Sequence, residues 1–224
     1  ISDSGNNALV SLGTATRTVD LDIILRGHAS NVRSRNFYIG TDGTMIVDGL
    51  ISSLSATPEL TKAAAGTLIL NGANTYTSPT RVNGGSLFVN NTTGSGTGAG
   101  DVIVARSSAI IFGGKGAIDG SLQLGGVLSP GETGDGDIGT FTVNDDVTWI
   151  GDGGMRGVTW DFDLGTAAAS LASAASGGST QDLLSIDGNF VKDTTYGTHF
   201  RFDFQGGGEK GWYQLADWTG TTGF

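Results

Sequence analysis

The residues that could do chemistry are few. His28 and His199 are the only histidines, and neither has a strong set of metal ligands within a few residues. Both read as strand or surface residues. No G-x-S-x-G run is present, so a nucleophile-elbow hydrolase has no local support. Asp161 and Asp163 lie two apart, as do Asp20 and Asp22, and the pleat of a strand puts each pair on one face, about 6.5–7 Å apart. That spacing is compatible with glycoside hydrolysis, a chemistry that would suit a polysaccharide-degrading enzyme. No cluster of bases and sugar-stacking aromatics accompanies the pairs, so they are expected to be solubilising carboxylates on a wet face. Gly134-Asp135-Gly136-Asp137-Ile138-Gly139 fits G-x-G-x-x-G, but it opens no helix and its aspartates would repel a pyrophosphate. Glu132, Asp135 and Asp137 could hold calcium, yet calcium-binding nonapeptides work as tandem arrays and here there is one copy. The expectation is a chain that is not an enzyme and takes no cofactor, with calcium as the minor alternative.

The elements that would position such residues follow from composition. Of 224 residues 39 are glycine, against 3 prolines and no cysteine. Glycine at every third position is missing, which excludes a collagen helix. Without cysteine there is no disulfide framework, thiol chemistry or zinc–thiolate site. No run of 18 or more apolar residues exists, so no helix is expected to span a membrane. The net charge of −10 argues against nucleic acid as a partner. This charge is uneven: residues 1–112 hold seven acids and seven bases, and residues 113–224 hold fifteen acids and five bases. Ile23 to Gly40 carries Arg26, Arg33, Arg35 and His28 with no acid. A basic patch at one end would complement an acidic far end.

Strand signals dominate. Thr67-Leu68-Ile69-Leu70, Val102-Ile103-Val104, Ser121-Leu122-Gln123-Leu124, Trp160-Asp161-Phe162-Asp163 and Phe200-Arg201-Phe202-Asp203-Phe204 all alternate, separating large apolar residues from polar ones. Only Thr166 to Thr180, rich in alanine and serine, departs in composition. It reads as a loop or insertion with at most a short helix. Gaps between strands are short and no crossover helix is available to cover a parallel sheet, so such a sheet must coil on itself. The expected fold is all-β, a parallel β-solenoid of roughly nine to eleven coils, with a rod roughly 45–50 Å long. An antiparallel β-sandwich is the alternative. The expected divisions are 1–40, a strand-rich cap or assembly arm; 41–165, the solenoid; 166–180, the insertion; and 181–224, the last coils.

One segment is more specific. Leu60-Thr61-Lys62 leads through Gly66-Thr67-Leu68-Ile69-Leu70-Asn71-Gly72-Ala73-Asn74-Thr75-Tyr76-Thr77 to Val82-Asn83-Gly84-Gly85-Ser86-Leu87-Phe88-Val89-Asn90. Residues 60–90 resemble the autotransporter-associated β-strand repeat, departing from its pattern at a few positions such as Ile69, Asn71 and Arg81. Gly113-Gly114-Lys115-Gly116-Ala117-Ile118-Asp119-Gly120, followed by Gly126-Val127-Leu128-Ser129-Pro130-Gly131, is similar to the coil common after that repeat. In a solenoid, Leu68, Leu70, Val82, Leu87 and Val89 point inward. Asn71, Asn74, Asn83 and Asn90 take turns, and Gly72, Gly84 and Gly85 supply positive φ. Tyr76 packs its ring on a turn with its hydroxyl wet.

The resemblance implies export from a Gram-negative-type bacterium and a passenger-like β-helix at the cell surface or outside the cell. The first residues, Ile1-Ser2-Asp3-Ser4-Gly5, show no signal peptide. The chain is therefore expected either to be cytosolic or to have lost a leader, and to be shorter than its gene product. Open strand edges at both ends and unequal charge in the halves point to a structural subunit polymerising head-to-tail with itself. Arg26, Arg33, Arg35, Trp212 and Trp218 are the expected assembly residues, and residues 1–12 are expected to add a strand to the neighbour. The rival readings are a monomeric adhesin that binds surface glycans through Trp212 and Trp218, and a polysaccharide-degrading β-helix enzyme.

Overall fold

A computed structural model describes residues 7–26, 34–55, 58–131, 137–150, 158–176, 180–194, 200–205 and 209–223. The chain winds as a three-faced parallel β-solenoid. The first coil is β1 (Asn7–Ser11), β2 (Thr16–Val19) and β3 (Ile23–Leu25). The second is β4 (Arg35–Ile39), β5 (Thr44–Val47) and β6 (Ile51–Ser53). The third and fourth coils have strands on two faces only: β7 (Leu60–Ala63) with β8 (Thr67–Leu70), then β9 (Thr80–Val82) with β10 (Ser86–Val89). The fifth holds β11 (Val102–Val104), β12 (Ile111–Gly114) and β13 (Ala117–Ile118). The sixth holds β14 (Leu122–Leu124), β15 (Val127–Pro130) and β16 (Thr140–Val143). The seventh holds β17 (Val147–Trp149), β18 (Val158–Asp163), the helical turn α1 (Leu171–Ala174) and β19 (Leu183–Ile186). The eighth holds β20 (Phe190–Lys192), β21 (Phe200–Gln205) and β22 (Ala216–Trp218), and β23 (Thr222–Gly223) opens the ninth.

The first face is a nine-stranded sheet from β1 to β23, the second an eight-stranded sheet from β2 to β21, and the third is split into β3–β6 and β13–β16–β19–β22. Every pairing between named strands is parallel. The antiparallel sandwich is therefore excluded. Nine layers at the usual strand spacing put the first and last strands of the long face roughly 38 Å apart. This is less than expected because late coils are long: contacts between stacked layers span 43 and 32 residues there, against 22 near the repeat.

Alternation builds most of the core, although β7, β10 and β12 each bury three residues in a row. Met45, Leu68, Leu87, Phe112, Leu128 and Trp160 pair layer upon layer, and each is almost wholly buried. A second column runs Leu60, Thr80, Val102, Leu122, Val147 and Phe190. Burial of one such apolar side chain is worth about 1.5–3 kcal/mol, so each layer supports the next. Aromatic residues fill the later coils: Trp149 stacks on Trp160 with centroids 5.5 Å apart, and Phe112 meets Phe141 edge-on at 5.3 Å.

The strandless stretch of the third face is carried by side chains together with isolated backbone bonds, Thr75 N to Ile51 O (2.9 Å) and Asn74 N to Ser95 O (2.7 Å). Asn74 accepts from Ile51 N through Oδ1 (2.7 Å) and donates through Nδ2 to Gly96 O (2.6 Å). Gly96 N then donates to Ala117 O at 2.8 Å. Asn91 Oδ1 accepts from Ala117 N, and Ser95 Oγ accepts from Asp119 N. These groups join the two short sheets where backbone ladders are missing.

Three sequence expectations need correction. Tyr76 is fully buried and its hydroxyl lies 2.6 Å from Thr80 Oγ1, because the strandless corner turns its ring into the core. Of the repeat's glycines named for positive φ, Gly85 alone has it (63°), while Ala64 adopts 63° and Gly72 and Gly84 do not enter that region. Gly72 is required for space instead: a Cβ there would lie 2.6 Å from Gly49 O. Asp163 is 6% exposed rather than on a wet face, because the excursion after β18 folds over it.

Candidate functional site

Of the sequence-derived assembly residues, Arg26 and Arg35 lie in the first two layers and Trp218 in the last described coil. Arg26 follows β3 and Arg35 opens β4. The Arg35 guanidinium donates to Arg26 O, with Nε at 2.8 Å, so the two cations share one corner of the first two layers. Arg33, His28, His199, Glu132 and Asp135 lie outside the described residues. Asp137 pairs with the Lys115 ammonium. Among the described residues no group of three or more His, Asp or Glu is placed to hold a metal ion.

The other end is aromatic. In β21, Phe202 and Phe204 continue the inward columns above Trp160 and Phe162, yet they are 43% and 50% exposed. Their rings stack on each other at 5.9 Å, and Phe202 meets Trp160 edge-on at 5.8 Å. The inward register explains both facts: alternation aims the rings at the core, and no described strand lies over β21. Trp218, inward above Ile186 in β22, packs on Phe190 at 6.0 Å and is also half-exposed. The sequence pattern predicted this alternation. Open strand edges were expected at both ends, but the pattern did not say which strand would carry one.

Trp212 belongs to a different feature. The chain leaves β18 through Leu164, which bridges Gln181 in antiparallel fashion, and Ala168 bridges Trp212 likewise. The Ala/Ser-rich segment thus contains one turn of helix, α1, capped by Ser170 Oγ accepting from Ser173 N. Gln181 Nε2 donates to Gln214 O, and the Tyr213 hydroxyl donates to Gly165 O. Two excursions from adjacent coils, 164–182 and 209–215, are therefore tied side by side. Trp212 is half-exposed on this protrusion and sits apart in role from Trp218.

At the base of the protrusion three carboxylates meet. Asp182 is 1% exposed and accepts from Gly139 N (2.8 Å) and Asp163 N (2.9 Å). Burial pushes its carboxyl up to about 6. The two backbone donors oppose this, and the charges of Asp163 and Asp161 add to it. The arrangement locks the excursion onto β18 rather than presenting acids to solvent. Sequence reasoning missed Asp182, because an acid beside Leu183 gives no hint of a partner 19 residues away.

The repeat corner holds a second missed feature. Lys62 is fully buried in the inward column between Phe37 and Val82. Its Nζ donates to Ala63 O, Ala64 O and Gly84 O at 3.1, 2.8 and 2.9 Å. Desolvation lowers its pKa to about 8. The ammonium ties two stacked turns together, which is a structural duty.

Compared with known proteins, residues 60–88 match the passenger-associated-transport-repeat family. No curated protein and no solved structure matches the chain. Among the described residues no helix is long and apolar enough to cross a membrane.

Proposed function

We propose, from a chain that carries a passenger-associated-transport-repeat within a parallel β-solenoid, that it is a non-catalytic structural subunit. It works outside a Gram-negative-type bacterium or at its surface, and it polymerises head-to-tail with itself. The observation that carries this reading is the half-exposed aromatic layer of Phe202, Phe204 and Trp218 at one end of the stack. Monomeric proteins rarely leave such a contiguous apolar patch on an open strand edge. The opposite end carries Arg17 and Arg26 beside Asp20 and Asp22, with Arg35 in the next layer, while the acidic excess of the chain lies in its C-terminal half. A contact between unlike ends is heterologous and propagates as a fibre.

Sedimentation at low and high salt tests this. The reading expects polymers that shorten with salt and that are lost when Phe202 and Phe204 are both changed to serine. Polymers unaffected by both would sink it. The second reading, a glycan-binding passenger, is favoured by Trp212, half-exposed on a protruding excursion. It expects retention of polysaccharide binding by a monomeric chain, lost in Trp212→Ala.

A further inference from the structure

The excursion that leaves β18 is a neutral strap closed by one acid. Residues 164–181 contain no ionisable group, and Asp182 stands where the excursion rejoins β19. Asp182 is 1% exposed and its carboxyl joins two layers, accepting from Gly139 N ahead of β16 and from Asp163 N at the end of β18. Asp163 is itself 6% exposed, and its Oδ1 is buried with no hydrogen-bond partner. Asp161 lies two residues back on the same outward face, in register with Asp203 of β21. The geometry points to a pH-sensitive clasp, in which a proton on Asp182 seats residues 164–176 and 180–182 against β18 and its loss lets them lift. This goes beyond the assembly reading and does not depend on it.

A protonated carboxyl still accepts both amides and meets no repulsion from Asp163 or Asp161. An ionised one is held out of water beside two like charges, and lifting the strap hydrates it. The raised pKa of Asp182 agrees in direction: burial is the largest cause, the two amides oppose it, and the charges of Asp163 and Asp161 add to it. The remaining charged groups around the strap match in number and leave these aspartates without a surplus cation. Asp137 pairs with Lys115 ahead of β16, β21 brings Arg201 with Asp203, and the second excursion brings Glu209 with Lys210. β16 and β19 carry no charged residue, and Glu132 and Asp135 lie outside the described residues. Lifting parts Asp182 N from Asp163 O and Ala168 from Trp212, so the clasp also governs whether the Trp212 loop is held.

Hydrogen exchange of the 224-residue chain, corrected for the intrinsic rate and followed from about pH 4 to 7.5, tests the clasp. Opening at the amides of Asp163, Ala168 and Asp182 is expected to rise by up to roughly 100-fold as Asp182 sheds its proton. The amides of Ser86 and Asn90, bonded between layers of the repeat, should show no such rise. In Asp182→Asn, which keeps an acceptor oxygen and cannot ionise, the rise should vanish. An equal rise at the strap and repeat amides, or a rise that persists in Asp182→Asn, would overturn the clasp. If that variant does not fold, the carboxyl carbon shift of Asp182 in the unaltered chain decides. Titration near the folded value of about 6, in step with opening, is the expected result. Titration at the ordinary carboxylate value, or titration without opening, would overturn it.

Discussion

At the scale of the residue, Lys62 shows how a charge inside the solenoid ties ionisation to folding. Its pKa falls from 10.5 to about 8 on folding. Between those values the unfolded chain keeps a proton that the folded chain gives up, so stability rises with pH across that window, by on the order of 3 kcal/mol at most. Tyr76 acts in the opposite sense. Burial raises its pKa, so above pH 10 the unfolded chain loses a proton that the folded chain retains, and stability falls. Urea midpoints measured from pH 7.5 to 11.5 should therefore climb and then drop. In Lys62→Met the climb should vanish and the drop remain. An unchanged climb in the variant would mean that Nζ is not the group involved. The sequence did hold the clue: Leu60 and Lys62 lie two apart and share the inward face. A lone lysine is read as solvated because burial of an unpaired ammonium is costly, and nothing local announces three carbonyls from two turns. Tyr76 was misread for the matching reason, since Thr80 lies beyond a corner whose path the repeat pattern does not describe.

Elements succeed or fail by how closely they stack. Asn74 replaces a strand between β6 and β13, holding Ile51 N and Gly96 O. Asn74→Ala leaves both groups buried and unpaired and should cost about 2–4 kcal/mol in chemical denaturation. A loss below the error of the measurement would contradict its role as a ladder stand-in. Gly98 has φ 64° and its Cβ would lie 1.9 Å from Tyr76 O, whereas Gly13 has nothing within 4 Å. Gly98→Ala should prevent folding or lower the melting temperature sharply, and Gly13→Ala should leave it within a degree or two. Asp182 tethers the excursion to β18. Its folded pKa of about 6 stands above its ordinary value, so the folded chain keeps a proton that the unfolded chain sheds between pH 4 and 6. Stability therefore falls as pH rises through that window. Asp182→Asn should flatten the slope while amide exchange at Asp163 and Gly139 stays slow. The strands themselves were legible from alternation, and the coil from the want of crossover helices. The strandless corner was not, because single backbone bonds mixed with Asn74, Asn91 and Ser95 side-chain bonds leave no periodic pattern.

For the whole molecule, one sheet runs without interruption from β1 to β23, so the ends are the places where strand pairing stops. A solenoid layer gains most of its stability from its neighbours, and Phe202, Phe204 and Trp218 are half-covered in the last described coil, where no described strand lies over β21. The sequence disclosed the charge difference between the halves. Which strand closes each face depends on the layer count, and the long excursion in the seventh coil hid that count. Electron microscopy of the 224-residue chain at low and high salt tests the central claim most directly. The account predicts straight filaments with strand layers spaced about 4.8 Å along the axis and a subunit repeat of roughly 40 Å, shortening as salt is raised. Isolated short rods at both salt concentrations would contradict it.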